Sequence, residues 1–248
     1  MSKQQKEKKV ATIELYAENS YIKECSAKIV SIQERFVVFD QTIFYPGGGG
    51  QPCDRGIIKQ GDETYNILTI KKLDGEIIHE LERPVQDINQ TVEMQIDWPW
   101  RFKNMQYHTL LHVISGYLYQ HYNALATSSQ IEKEHARLEL SFTPEIMEEI
   151  PFDSLEQSIK KVLAQPHNVY TKTISRTEAE QKEGFIKTVI NLLPASLNEI
   201  RIVQINDIDE QACGGTHVNN TNEIKDFSIM KIQQKGPTKK RIKIQLLD

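Results

Sequence analysis

Between residues 12 and 97, apolar and polar side chains alternate with a period near two. "ATIELY" (residues 11–16), "SAKIVSI" (26–32), "RFVVFD" (35–40), "IIHELE" (77–82) and "TVEMQID" (91–97) each read as a half-buried strand. Glycine-rich and Asp- or Asn-containing breaks separate them. Several short strands at this spacing predict a small barrel, and no segment here has a helical period. After residue 101 the period changes. Met105, His108, Leu111, His112, Ser115, Leu118 and Tyr119 fall on one stripe. They predict a helix from Phe102 to about Ala124 with both histidines on its buried face. "DWPWR" (97–101) marks the boundary, because Pro99 stops the helix from extending backward and Asp97 is placed to cap it.

Beyond the helix, "HARLELSF" (135–142) alternates as a strand. "PFDSLEQSIKKVLAQ" (151–165) reads as an amphipathic helix starting near Asp153. "RTEAEQKEG" (176–184) reads as a polar helix ending at Gly184, and "EIRIVQIND" (199–207) as a strand leading toward Cys213. "DFSIMKIQQKGPTKKRIKIQLL" (226–247) reads as a closing hairpin that turns at Gly236-Pro237. The expected fold is α+β: a small N-terminal β-barrel domain over residues 1–96 that includes a Gly-rich loop, then an α/β domain over residues 97–248.

The 248 residues suffice for two small domains, and 39% hydrophobic with 26% charged residues is ordinary for a globular chain. No apolar run approaches 18 residues, so no membrane span is expected. The opening "MSKQQKEKKV" has charge without an apolar core and reads as a solvated tail rather than a secretory signal. Three cysteines do not make a disulfide framework, which fits a cytoplasmic protein. The net charge of −4 argues against a nonspecific nucleic-acid coat. The C-terminal stretch is nevertheless basic, with Lys225, Lys231, Lys235, Lys239, Lys240, Arg241 and Lys243. That run fits either a solvated strand or a local polyanion contact.

Two segments carry most of the chemistry. In "HTLLH" (108–112) two histidines four apart project from one helix face and can reach one ion. In "CGGTH" (213–217) Cys213 and His217 have the same spacing, but two glycines favour a turn folded over the helix. His108, His112, Cys213 and His217 together make a donor set for tetrahedral Zn²⁺. If all four bind, the site is closed and structural; if one is displaced, a water can enter and be activated. Cys213 as a nucleophilic thiolate is the competing mechanism, although a metal-bound thiolate is a poor nucleophile. His79, His121, His135 and His167 read as surface or core residues, and Cys25 and Cys53 take no role. A third segment, Gly47-Gly48-Gly49-Gly50, allows close backbone approach, either to a ligand or to the neighbouring domain.

These segments resemble one family. "RFKNMQYHTLLH" (101–112) and "CGGTHVNNTNEI" (213–224) resemble the two signatures of the editing domain of alanyl-tRNA synthetase. "QTIFYPGGGGQPCDRG" (41–56) resembles the element that precedes that domain, with one extra glycine before the family's three and with Gln51, Asp54 and Gly56 retained. The matches keep the family's order from Gln41 to Ile224. The chain is therefore identified as similar to the free-standing trans-editing family (AlaX), in the form with an extra N-terminal domain.

The resemblance implies hydrolysis of alanine tRNA wrongly charged with serine, and sometimes with glycine. It places Gly47 to Gly50, Gln51 and Asp54 beside the substrate. It also points to a hydroxyl or amide residue within "TSSQ" (127–130), with Thr127 the first choice and Gln130 the second. Read without the resemblance, "TSSQ" is a polar turn. Arg101 and Lys103 could meet phosphate or form a helix-start ion pair. Two other readings remain at this point: editing of another tRNA, of the threonyl type, and a zinc-stabilised tRNA-binding module without catalysis.

Overall fold

A computed structural model describes residues 11–73, 75–89, 91–181 and 198–247. The expected tail at residues 1–10 and the end of the polar helix at Gly184 lie outside these residues. The fold is mixed α+β. Contacts divide the chain into two units. One takes the chain up to Gly47 together with Cys53–Arg101; the other takes Gly48–Pro52 together with the chain from Phe102 onward. The sequence places the glycine run in the first domain, whereas Gly48–Pro52 clusters with the second unit.

In the first unit, Ile13–Glu14 (β1) pairs in parallel with Gln41–Thr42 (β4), and Leu15–Glu18 (α1) forms one helical turn between. The barrel strands are Glu24–Gln33 (β2), Phe36–Phe39 (β3), Gly56–Gln60 (β5), Glu63–Leu73 (β6), Glu76–Leu81 (β7) and Thr91–Ile96 (β8), closed in the order β2-β3-β7-β6-β5-β8. Closure leaves no open edge. Ala27, Ile29, Val37, Phe39, Ile58, Tyr65, Ile70, Ile77, Val92 and Met94 alternate inward and fill it.

Two expectations change here. Residues 11–16 are extended only at Ile13–Glu14, because the helical turn buries Tyr16 edge-on against Tyr45 at 5.4 Å. Packing thereby overrides the strand propensity of the segment. Strands β5 and β6 were not expected; in β6 a bulge between Ile67 and Thr69 breaks the alternation that would have marked it.

Helix Trp98–Tyr122 (α2) starts four residues earlier than expected, with Asp97 Oδ1 accepting from the Trp100 N–H at 3.2 Å. Residues 104–116 are buried on every side, so this is a core helix and not a surface stripe. Leu125–Ile131 (β9), Ala136–Ser141 (β10), Phe227–Gly236 (β14) and Lys239–Leu246 (β15) form an antiparallel sheet in the order β14-β15-β10-β9. "TSSQ" is therefore strand, not turn. Pro144–Glu149 (α3) and Leu155–Leu163 (α4) follow β10. Val169–Ser175 (β11), Glu199–Ile205 (β12) and Asp209–Ala212 (β13) make a second sheet, with Arg176–Gln181 (α5) after β11. Leu110, Leu111, Ile114, Leu118, Leu138, Val203, Ile242 and Ile244 join α2 and these sheets in one core. No helix among the described residues is long and apolar enough to cross a membrane.

Candidate metal centre

Among the described residues, His108, His112, Cys213 and His217 bring one ligand atom each to within 4.8 Å of all the others. Helix α2 supplies His108 and His112, one turn apart, with ring centroids at 5.0 Å. The loop after β13 supplies the other two. The His217 ring lies 4.2 Å from that of His108 and 4.6 Å from that of His112. Cys213 Sγ lies 3.6 Å from His108 Nε2 and 3.4 Å from His217 Nε2.

Each histidine is held through its Nδ1, and each partner dictates the tautomer. Gln51 Oε1 accepts from the Thr216 backbone N–H at 3.1 Å, which fixes the amide orientation. The His108 Nδ1, 2.8 Å from the same oxygen, must therefore carry its proton and donate it. The Gln51 Nε2 donates to Thr216 Oγ1 at 2.8 Å. His112 Nδ1 donates to the buried Asp209 carboxylate at 2.9 Å. Thr109 gives its hydroxyl proton to Met105 O at 2.9 Å, so it can only accept from His217 Nδ1 at 3.1 Å. Three Nε2 atoms are thus turned toward Cys213, as metal ligation requires.

Small residues permit this closeness. A Cβ on Gly215 would stand 2.2 Å from His108 Cε1 and 2.8 Å from Gln51 Oε1. One on Gly116 would stand 2.5 Å from Ile208 O, so its absence lets the chain carrying Asp209 reach His112. Arg201 Nη1 ties the loop down through Cys213 O at 2.8 Å and Gly215 O at 2.9 Å.

Without a metal the donors share charge among themselves. Burial pushes the Cys213 thiol up, but His108 and His112 outweigh it and hold Cys213 well below the usual thiol range. Burial lowers His112, yet the Cys213 thiolate and the Asp209 carboxylate raise it to about 9. Burial, reinforced by repulsion from His108 and His112, keeps His217 well below the usual imidazole range. The group thus favours a Cys213 thiolate beside a protonated His112, and a metal ion would replace that proton. Soft sulfur with three imidazoles is a donor set for a borderline-soft divalent ion.

The other residues singled out from the sequence are placed as follows. Gln51 is inside this cluster, 3% exposed. Gly47, Gly48, Gly49 and Gly50 all adopt positive φ. A Cβ on Gly50 would strike Ser129 O at 2.2 Å, whereas one on Gly49 would meet nothing within 4 Å. Thr127 is the bulge residue of β9, and its buried Oγ1 has no hydrogen-bond partner. Gln130 is exposed on β9 and its oxygen accepts from Arg137.

Asp54 lies in the first unit with its side chain 0% exposed, ion-paired with an equally buried Arg101. Arg101 is thereby closed to phosphate, while Lys103 pairs with Glu134 at 3.2 Å. Sequence reading missed Asp209, Thr109, Gly116 and Arg201, which carry no spacing signal of their own.

A family model described as "Threonyl and Alanyl tRNA synthetase second additional domain" matches residues 200–243, and one described as "tRNA synthetases class II (A)" matches residues 2–100. The chain is 34% identical over 241 residues to the alanyl-tRNA editing protein AlaX-M of Methanosarcina barkeri, covering 94% of this chain and 98% of that protein. It is 32% identical over 234 residues to AlaX-L of Pyrococcus horikoshii, covering 92% of this chain and 56% of that protein. It is 34% identical over 223 residues to the alanine–tRNA ligase of Thermococcus kodakarensis, covering 89% of this chain and 24% of that protein.

Proposed function

This chain belongs to the AlaX family of alanyl-tRNA editing proteins, and we propose that it acts in trans, in the cytoplasm, as a hydrolase of mischarged alanine tRNA. The substrate of this reading is the ester that joins serine, or glycine, to the terminal ribose of alanine tRNA. The observation that carries it is the convergence of His108, His112, Cys213 and His217 on one point. The donor chemistry suits Zn²⁺. With bonds of about 2.0 Å to nitrogen and 2.3 Å to sulfur, a tetrahedral zinc separates N from S by roughly 3.5 Å. The Sγ to Nε2 distances of 3.4 and 3.6 Å agree with that.

Zinc, when bound, supplies Lewis-acid polarisation at the reacting oxygen or holds the substrate in place. The chain's own residues do the rest. Gln51, Asp209 and Thr109 keep the three Nδ1 protons and so keep each Nε2 free. Cys213 serves as a ligand rather than a nucleophile. An aminoacyl ester is already activated, so orienting water and ester is sufficient. Gly47 to Gly50 are the backbone surface for the 3′ end, with Gly49 opening to free space.

Thr127 is the discriminating residue of this reading. Its orphaned hydroxyl pairs with the hydroxyl of serine and stays unpaired opposite the methyl of alanine, which a polar pocket rejects. Gln130 is the alternate, with its oxygen shared with Arg137. The completeness of the donor set favours one other reading, a closed structural zinc in a tRNA-binding module without catalysis. Deacylation of alanine tRNA charged with serine, glycine or alanine decides between them. Release of serine well above the spontaneous rate, with alanine spared, is expected. No enzyme-dependent release from any of the three sinks the hydrolase.

A further inference from the structure

The register of the four-stranded sheet aligns basic side chains across three strands. Lys231 on β14 stands opposite Lys243 on β15, and Lys243 opposite Arg137 on β10. The row ends on β9 at Gln130, opposite Arg137. The neighbouring row is Gln233, Arg241, Glu139 and Ser128, and Lys239 lies in the row beyond. All these residues lie on the side of the sheet away from the core. Between them in sequence, Ile242, Ile244, Leu138 and Ala136 point inward and are fully buried. The outer side thus holds five cations and one carboxylate, and Glu139 is already paired with Arg241. The chain as a whole carries −4.

Like charges placed directly opposite in a sheet cost stability. Among the described residues, Lys231 and Lys243 have no ion-pair partner to offset that, and Arg137 is offset only by the charge of Glu139, which Arg241 already pairs. Lys231 is exposed and Lys243 half-buried; Arg137 is half-buried, with its Nη2 donating to Gln130 Oε1 and its Nε buried without a partner. Strands lie about 4.8 Å apart and alternate residues about 6.7 Å apart along a strand. The cations therefore form a flat grid on the scale of adjoining phosphates, not a pocket for a single small anion.

Resting on the reading that the substrate is a tRNA, we infer that this outer sheet face is the track for the sugar–phosphate backbone of that RNA. The track leads toward the proposed site. It ends on β9, the strand that carries Thr127 and whose Ser129 donates to Gly49 O at 3.0 Å. The Ile131 N–H of the same strand donates to Gly50 O at 2.7 Å. Backbone contacts of this kind set position and affinity, and leave amino-acid discrimination to the pocket.

The test is the salt dependence of tRNA binding. Each phosphate neutralised contributes about 0.7–0.9 to the slope of log K against log salt. The double variant Lys231→Gln, Lys243→Gln should therefore bind uncharged alanine tRNA with a slope shallower by roughly 1.4–1.8. On a fourfold rise in salt, the wild type's lead over the variant should shrink by about 7- to 12-fold. A control double, Lys28→Gln with Lys59→Gln, removes the same charge from exposed barrel positions and should keep the wild-type slope. Hydrolysis of serine esterified to adenosine alone should be equal in wild type and test double, since that substrate has no backbone to track.

An unchanged slope in the test double, beside a wild type that binds tRNA and releases serine, would overturn the track while leaving the hydrolase standing. A wild type that neither binds nor deacylates would overturn the reading beneath it. If the test double lost sedimentation with anionic vesicles but kept its tRNA slope, the face would belong to a membrane surface and the inference would fail.

Discussion

Gln51 offers the sharpest perturbation of the metal centre, because it touches no metal yet sets one ligand. Its oxygen accepts from His108 Nδ1 at 2.8 Å and Thr216 N at 3.1 Å, and its nitrogen donates to Thr216 Oγ1 at 2.8 Å. Gln51→Leu keeps the volume and deletes all three bonds. Two buried donors then lack an acceptor, at about 1–3 kcal/mol each. Part of that cost falls on folding. The rest falls on ligation, since His108 can now take the wrong tautomer or turn its ring. Removing such a partner commonly weakens metal binding by about 10- to 100-fold. Gln51→Glu retains an acceptor for both donors, so it should hold zinc more tightly than Gln51→Leu does. Competition against a chromophoric chelator at pH 7.5 gives the affinities, with circular dichroism to confirm folding. A folded Gln51→Leu protein that binds zinc as the wild type does would refute the assignment of tautomer control to this residue.

Four further outcomes are expected. Gly215→Ala should lose zinc and about 1–3 kcal/mol of stability, because its Cβ would sit 2.2 Å from the His108 ring; metal analysis and urea unfolding read both. Asp209→Asn in the metal-free protein should bring His112 part of the way down from about 9, the Cys213 thiolate still raising it, as followed by imidazole NMR. Thr127→Val should cut serine release by about 2- to 13-fold, for a hydrogen bond of roughly 0.5–1.5 kcal/mol, with alanine release flat or higher in the deacylation assay. Unfolding between pH 7 and pH 4 should report His79, which burial in the barrel lowers from 6.5 to about 4. The unfolded chain takes up that proton below about pH 6.5 while the folded protein does not. Its contribution is therefore full above pH 6.5 and lost as pH falls toward 4, by about 3 kcal/mol in all. His79→Gln should flatten that slope.

The readable parts of this chain are those where one local rule decides. The period-two runs at residues 26–32, 77–82 and 91–97 are barrel strands, and the spacing of His108 and His112 puts both on one helix face. The pairing of Cys213 with His217 needed only the two glycines between them. What was not legible depends on partners far away in sequence. Residues 11–16 have strand propensity, but Tyr45 draws Tyr16 into a turn of helix. Asp209 sits in an acidic stretch that looks solvated until Gly116 admits it to His112. Arg101 reads as a surface cation at a helix start, yet it is wholly buried because Asp54, 47 residues earlier, neutralises it. Thr127 was singled out by resemblance alone; its bulge is a property of pairing with β10, which a single strand cannot reveal.

The membership of Gly48–Pro52 in the second unit has a practical consequence for anyone dividing the chain. A cut at residue 102 looks clean, since it follows the contact boundary and keeps all four donors on one piece. That piece would lack Gln51, and with it the acceptor for His108 Nδ1 and the Thr216 N–H. The five excised residues act as a key inserted from a distant part of the chain: the lock is built entirely after residue 101, but one of its tumblers is set from before it. Module borders drawn by compactness and borders drawn by chemistry do not coincide here, and an expression fragment should follow the second.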